Sequence, residues 1–376
     1  MLQIAARIVA RASRETPADS LLRQELRDQK GLTRFESREI SRAVFAWFRW
    51  RGWLQTSDPM ERQLTQAVDL ADRFHNSPQS FSDGDFAAAV PSWTAKVMEV
   101  TPAWLRTLQT EPRLWLRAKR GRGGELANLL GESWIPKIPA LADAVVYQGN
   151  EDLFRSAEFH AGEFEVQDVA SQAVSLLCAP APGETWWDAC AGEGGKTLHL
   201  SDLMQNKGLI WASDRADWRL KRLKLRTGRA KCFNYRAVLW DGGAKLPTKT
   251  KFDGVLLDAP CSGVGTWQRN PHARWTTTEE DVAELAKVQA DLLSHVASSV
   301  KPGGKLIYSV CTLTKAETVA VAQAFAAAHA EFEPLDLPSW TKEKRMGVVA
   351  PASSVTIWPQ DLGGNGMFVA AWRRRA

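Results

Sequence analysis

The feature that most limits the fold of this chain is an alternation that sets in near residue 166. Short apolar runs of strand length recur there with helical stretches between them, the pattern of a parallel sheet covered by helices. The expected strands are Thr185–Ala189, Leu209–Ser213, Cys232–Leu239, Phe252–Leu257 and Lys305–Val310. Helices are expected at 168–178, Lys196–Met204, Asp217–Arg226, Glu280–Val300 and Lys315–His329, and the tail returns as strands Val355–Trp358 and Met367–Trp372. In open α/β sheets ligands bind outside the carboxyl ends of the strands. The residues just after each strand are therefore where chemistry is expected.

The first strand runs into Asp188-Ala-Cys190-Ala191-Gly192-Glu193-Gly194-Gly195-Lys196-Thr197. Glycines let backbone approach a ligand, and a helix N-terminus offers free N–H groups. A P-loop needs glycine six residues before the lysine, where this chain has Cys190, so that reading fails. A GxGxxG fingerprint is also absent. An acid before closely spaced glycines, a second acid ending the next strand (Asp214) and a third after the strand that follows (Asp241) fit an adenosyl ligand. Asp214 would meet ribose hydroxyls and Asp241 the adenine. Taken singly, each acid is more often a helix cap or turn residue; together with the glycines they favour S-adenosylmethionine.

Two later strands end in cysteine: Asp258-Ala-Pro-Cys261-Ser-Gly263 and Tyr308-Ser309-Val310-Cys311-Thr312. Five cysteines with no CxxC pair are too few for a disulfide framework, and no metal site is expected. Cys178 and Cys232 read as buried hydrophobes. Cys261 and Cys311 sit in loops after strands, where function concentrates.

The rest of the chain divides by composition. Residues 1–85 read as an all-helical domain, with Ile40, Val44, Trp47 and Phe48 as a core-facing stripe and Ser37 as its N-cap. The Arg-rich start resembles a transit peptide less than a first amphipathic helix. The polar stretch His75–Asp85 is the expected linker. Residues 86–165 read as a small α/β RNA-binding module with strands at Leu114–Arg117 and Val145–Tyr147, and residues 166–376 as the catalytic domain. The net charge of +5 is unevenly spread, with nine Lys/Arg against one acid in 215–236. Basic clusters attract phosphate backbones, although each alone can be a solvated helix face. Tryptophans near basic residues (Trp47, Trp50, Trp53, Trp104, Trp115, Trp218) could stack on bases, but core packing is the commoner role. No run is long enough to span a membrane. A cytoplasmic, monomeric protein with an RNA partner, and no DNA or membrane partner, is expected.

The motifs carry a family resemblance. The chain resembles the RsmB/Sun-type RNA (cytosine-5-)-methyltransferases in Asp188-Ala-Cys-Ala…Gly194-Gly195-Lys196-Thr197, Asp214, Asp241, Asp258-Ala-Pro-Cys-Ser-Gly263, Arg269-Asn270-Pro271…Trp275, Lys301-Pro302-Gly303-Gly304 and Tyr308-Ser309-x-Cys311-Thr312. Gln167-Asp168-x-x-Ser171-Gln172 and Trp358-Pro359 add to it, and the likeness covers roughly residues 165–373. Residues 1–75 resemble a NusB-like domain, chiefly through Thr33–Arg51. The fold this implies is a Rossmann-like S-adenosylmethionine-dependent methyltransferase domain, preceded by the NusB-like helices and the small α/β module.

The chemistry implied is transfer of a methyl group to cytosine carbon 5 in RNA, with 16S rRNA expected and tRNA or a non-catalytic assembly factor as alternatives. The resemblance implies Cys311 as nucleophile, Cys261 in product release, Asp258 on the base edge and Lys196 in support. Cofactor contacts are expected from Cys190, Ala191, Gly192, Glu193, Gly194, Gly195, Lys196, Asp214, Arg219, Asp241 and Asp258. Spacing alone does not assign the two thiols, since DNA cytosine-5 methyltransferases attack with the Pro-Cys cysteine, here Cys261. The chain departs from the family pattern at Gly192-Glu193, Val310, Gln268, His272 and Asn365-Gly366-Met367-Phe368, which puts pocket packing and substrate contacts in question.

Overall fold

The computed structural model describes residues 1–29, 31–337 and 353–376. They form two compact units, one of Met1–Pro112 with Gly263–Asp281, the other of Arg113–Ser262 with Val282–Ala376.

The first unit is helical: α1 (Leu2–Arg11), α2 (Ala18–Asp28), α3 (Arg34–Trp50), α4 (Met60–Asn76), then the short α5 (Thr94–Val97) and α6 (Pro102–Thr107). Ile40, Val44, Trp47 and Phe48 of α3 are buried, as their spacing predicts. The helix is capped by Thr33, four residues before the expected cap. Thr33 and Glu36 form a reciprocal capping box that satisfies two backbone donors, which Ser37 has no acid in place to match. The stretch His75–Asp85 does not behave as a linker. Its Phe81 ring lies 5.4 Å from that of Trp50, and Phe81 and the adjacent Phe86 are buried. Polar neighbours hid these two anchors in the sequence. The segment 263–281 joins this unit through Arg274, which is fully buried. Its guanidinium donates to the carbonyls of Ala89 (2.9 Å), Leu108 (3.0 Å), Arg49 (3.3 Å) and Trp267 (3.4 Å).

The second unit holds two sheets. The smaller is antiparallel, with β1 (Leu114–Ala118), β2 (Ser133–Trp134), β3 (Ala144–Tyr147) and β4 (Phe164–Val166) in the order β2-β3-β1-β4, flanked by α7 (Gly123–Leu130) and α8 (Ala157–His160). Two of these strands have only two or three residues, too short to leave a sequence pattern. Helix α9 (Val169–Cys178) packs beside this sheet, and Gln172 donates to the carbonyls of Leu116 (3.1 Å) and Gln167 (2.8 Å). The small sheet thus belongs to the same unit as the large sheet, so the expected module 86–165 coincides with neither unit.

The large sheet contains β5 (Thr185–Asp188), β6 (Leu209–Asp214), β7 (Tyr235–Leu239), β8 (Phe252–Asp258), β9 (Val300–Val310), β10 (Phe332–Pro334), β11 (Ser354–Ile357) and β12 (Met367–Arg374). Its order is β10-β12-β9-β8-β5-β6-β7, with β11 on β12. Strands β5 to β9 pair in parallel, and β12 runs antiparallel to β9. The connecting helices are α10 (Gly195–Leu203), α11 (Asp217–Ala230), α12 (Glu279–Ala297), α13 (Val319–Ala328) and, near the end, α14 (Pro359–Leu362).

Neighbouring Trp186 and Trp187 of β5 are both fully buried, as expected of a strand covered on both faces. Gly254 of β8 makes room for the first of them, since a Cβ there would lie 2.3 Å from the Trp186 ring. Strand β7 begins at Tyr235 rather than Cys232. Lys231 takes a left-handed conformation (φ 57°) and the Cys232 N–H bonds the Thr227 carbonyl, so these residues finish α11 instead. Among the described residues, no helix is long and apolar enough to cross a membrane.

Candidate active site

A cavity of about 650 Å³ lies at the carboxyl ends of β5 to β9. Each strand delivers residues to it: Cys190, Ala191 and Gly192 after β5, Asp214 at the end of β6, Asp241 after β7, Asp258 and Cys261 at and after β8, and Cys311 after β9. Helix α12 closes one wall with Val288, Asp291, Leu292 and His295.

At one part of the wall the acids are held by backbone. Asp214 accepts from the N–H groups of Gly192 (3.0 Å) and Ala216 (2.9 Å), and Arg219 lies 3.8 Å from it. Each carboxylate oxygen has capacity for a further donor such as a hydroxyl. Asp241 is fixed by the Gly243 N–H at 2.8 Å. Gly192 has φ +56°, and a Cβ there would meet nothing within 4 Å, so the loop leaves open space beside Asp214. Gly194 (φ +87°) starts α10 and packs on Leu223, which a Cβ would approach to 2.7 Å. The carboxylate acceptors, the open loop and the cavity volume suit an adenosyl group.

Not every expected cofactor contact faces the cavity. Glu193, Gly194, Gly195 and Lys196 are outside its lining. The Glu193 carboxylate accepts from Arg222 at 2.9 Å. Asp188 is wholly buried, with Thr197 donating to it at 2.6 Å, and burial pushes its carboxyl up to about 7. Cys190 does line the cavity, but burial, with Asp188 and Asp214 nearby, raises its thiol far above the ordinary cysteine value. It stays protonated and is a poor nucleophile.

Around the two remaining cysteines the chemistry differs. Strands β8 and β9 are parallel neighbours with Asp258 opposite Ser309, so the loops that follow lie side by side. The Cys261 and Cys311 sulfurs are 3.3 Å apart. Asp258 is fixed at both oxygens, by Ser309 Oγ at 2.7 Å and by Lys196 Nζ at 2.6 Å. Burial alone would lower the basicity of Lys196, but the Asp258 carboxylate outweighs it and the ammonium is favoured. A carboxylate held this way presents a fixed acceptor to a base edge. Ser309 carried no role in the sequence reading; the signal was a hydroxyl two residues before Cys311 in an otherwise buried strand.

Several departures from the family pattern pack away from these atoms, although Gly192 lines the cavity and Val310 directly precedes Cys311. Val310 and Phe368 face each other across β9 and β12 and are both buried, so they form one packing pair. Gln268 donates to Thr110 at 2.7 Å, and the His272 ring meets Phe48 edge-on at 4.7 Å. Many basic residues are also occupied: Arg226 and Arg229 both bind Glu165, and Arg117 binds Asp202. Trp47, Trp50, Trp104 and Trp115 are buried, whereas Trp218 is 54% exposed.

Residues 175–373, just over half of the chain, match the family described as 16S rRNA methyltransferase RsmB/F. The chain belongs to this family. Among its RsmB relatives, the ribosomal RNA small subunit methyltransferase B of Erwinia tasmaniensis is 30% identical over 305 residues, which are 78% of this chain and 68% of that protein. The probable enzyme of Synechocystis is 38% identical over 219 residues, 56% of this chain and 48% of its own length. That of Bacillus subtilis is 36% identical over 220 residues, covering 58% and 49%. The RsmB/F member described here thus spans about half the length of the latter two. Two solved structures share its fold. PH0851 has a TM-score of 0.79 at 23% identity, covering 99% of this chain and 97% of that one. NSun6 from Pyrococcus horikoshii, solved with SFG, has a TM-score of 0.63 at 18% identity, covering 73% and 94%. The large sheet is accordingly a Rossmann-like methyltransferase sheet preceded by helices.

Proposed function

We propose that this chain methylates carbon 5 of a cytosine in RNA, with 16S rRNA as the substrate, through a covalent bond between Cys311 and the base. The observation that carries the reading is the thiol pair, 3.3 Å apart, beside an Asp258 fixed by Lys196 and Ser309. The RsmB/F membership supports the rRNA part. S-adenosylmethionine, when bound, supplies an electrophilic methyl group; Asp214, Asp241 and the Gly192 loop would hold it.

The chain's own residues supply the rest. Cytosine carbon 5 is a weak nucleophile until the Cys311 thiolate adds to carbon 6, which makes carbon 5 enamine-like. Asp258 accepts from the amino group on the base edge and so orients the ring for attack. After methylation the carbon-5 proton leaves to a base, the ring electrons return, and the bond from carbon 6 to Cys311 breaks. Cys261, beside the adduct, takes part in that release. Duplex bases are out of reach of such a pocket, so the target is a splayed or single-stranded nucleotide. The small sheet of β1 to β4, with α7 and α8, is assigned to holding the RNA.

The test uses Cys261→Ala and Cys311→Ala with S-adenosylmethionine and naked 16S rRNA. Cys261→Ala is expected to accumulate a denaturation-resistant protein–RNA adduct, and Cys311→Ala to form none and no 5-methylcytosine. Adduct in Cys311→Ala alone would reverse the thiol roles. An adduct with tRNA and none with rRNA would move the substrate.

A further inference from the structure

The mechanism leaves one buried acid unused. Glu317 lies in the turn between Cys311 and α13 and is fully buried. Its two oxygens accept five hydrogen bonds. One set comes from the Cys261 loop: the Ser262 N–H at 2.8 Å and the Ser262 hydroxyl. Another comes from the Cys311 loop: the hydroxyls of Thr312 at 3.1 Å and Thr314 at 2.8 Å. The fifth is Gln289 Nε2 of α12 at 3.0 Å, and that same amide also donates to the Pro260 carbonyl at 2.9 Å. The Tyr308 hydroxyl closes the arrangement by donating to the Glu317 carbonyl at 2.7 Å. Ser262 and Thr312 also meet directly at 2.9 Å.

Every one of these groups is within three residues of Cys261 or Cys311, or is Gln289 or Glu317 itself. The two loops leave the neighbouring parallel strands β8 and β9, whose last paired residues are Asp258 and Ser309. A buried carboxylate surrounded by donors from both is a shared anchor. Removing it would leave its buried donors without a partner, which the structure would relieve by letting the loops move.

We infer that Glu317 is a positioning residue that holds the Cys261 and Cys311 loops in register, and so sets the distance between the two thiols. The inference rests on reading those thiols as the working pair. Glu317 is outside the lining of the cavity. Its effect is the preorganisation that lets one thiol serve the step the other begins, a contribution sensitive to displacements of an ångström.

The decisive measurement is the effective molarity of the thiol pair, which needs no RNA. The full-length protein is equilibrated with oxidised and reduced glutathione. Each Cys261–Cys311 disulfide formed takes two electrons from the two thiols and converts one oxidised glutathione into two reduced molecules. Mass spectrometry gives the ratio. Glu317→Ala is expected to lower the effective molarity about tenfold or more, with S-adenosylmethionine affinity unchanged. Glu317→Gln, which keeps the shape and one acceptor oxygen, should recover part of the loss. In methyl transfer kcat should fall while KM for S-adenosylmethionine holds.

An unchanged effective molarity in folded Glu317→Ala overturns the inference. Should that variant not fold, Ser262→Ala and Thr312→Val each remove one tether and leave the acid in place. A fall in either supports the anchor, and no change in both overturns it. Wild-type protein that makes no 5-methylcytosine sinks the proposed reaction instead, and the thiol equilibrium still judges Glu317.

Discussion

At the scale of single residues, the site separates cysteines by environment. Cys178 and Cys190 are held protonated by burial first and by nearby Asp188 second, and burial also raises Cys232. At pH 8 Cys178 and Cys190 should therefore resist iodoacetamide in the native protein, as peptide mass mapping would reveal; rapid labelling of Cys190 would contradict its assignment as inert. Asp214→Ala removes a carboxylate that anchors both the Gly192 loop and the start of α11. It is expected to weaken S-adenosylmethionine binding by about 10- to 100-fold, the value of one charged hydrogen bond, in a calorimetric titration. That the acids and thiols gather at one cavity was legible in the sequence, because each falls at or just after a strand end. Ser309 and Glu317 were not. Their partners, Asp258 and Ser262, lie about 50 residues away and meet them only through the pairing of β8 with β9.

At the scale of elements, the sequence showed which segments are strands and helices better than where they stop. The alternation after residue 166 gave β5, β6, β8 and β12 within a residue or two, because each is a compact apolar run. It missed the early start of β9 at Val300, since Pro302, Gly303 and Gly304 break the apolar pattern inside the strand. A glycine with a tertiary reason was equally invisible. Gly254→Ala would drive a methyl group into the Trp186 indole and is expected to cost about 1–3 kcal/mol as overpacking, read from the shift of the urea midpoint. Arg274 shows the same limit in the helical unit. Burial first, then neighbouring Arg49, pushes its basicity down to about 9, yet four carbonyls hold it in place. Arg274→Met keeps much of the bulk and leaves those carbonyls without their donor. It should destabilise the helical unit by roughly 1–3 kcal/mol, with relief of the Arg49 repulsion as the offset, and limited proteolysis should cut Met1–Pro112 faster.

For the whole molecule, the buried Asp188 ties stability to pH. Its carboxyl sits at about 7 in the folded chain, against about 3.9 when unfolded. The folded state thus holds the proton more tightly. This contribution is complete below about pH 4 and is lost as pH rises toward 7, on the order of 4 kcal/mol. Asp188→Asn should flatten that decline in urea titrations at successive pH values; parallel curves for the two proteins would rule the account out. The division of the chain was its least legible property. Contacts place residues 263–281 with the amino-terminal helices, starting just two residues after Cys261, and no composition shift marks either crossing. The helical unit is therefore written in two separated stretches of one reading frame, the second embedded in the coding region of the unit that carries the two sheets. Such a unit cannot be traded between proteins as a cassette by a single gene fusion. A graft of residues 1–112 alone would arrive without Arg274, so exchange of this unit among relatives would require two coordinated recombination events.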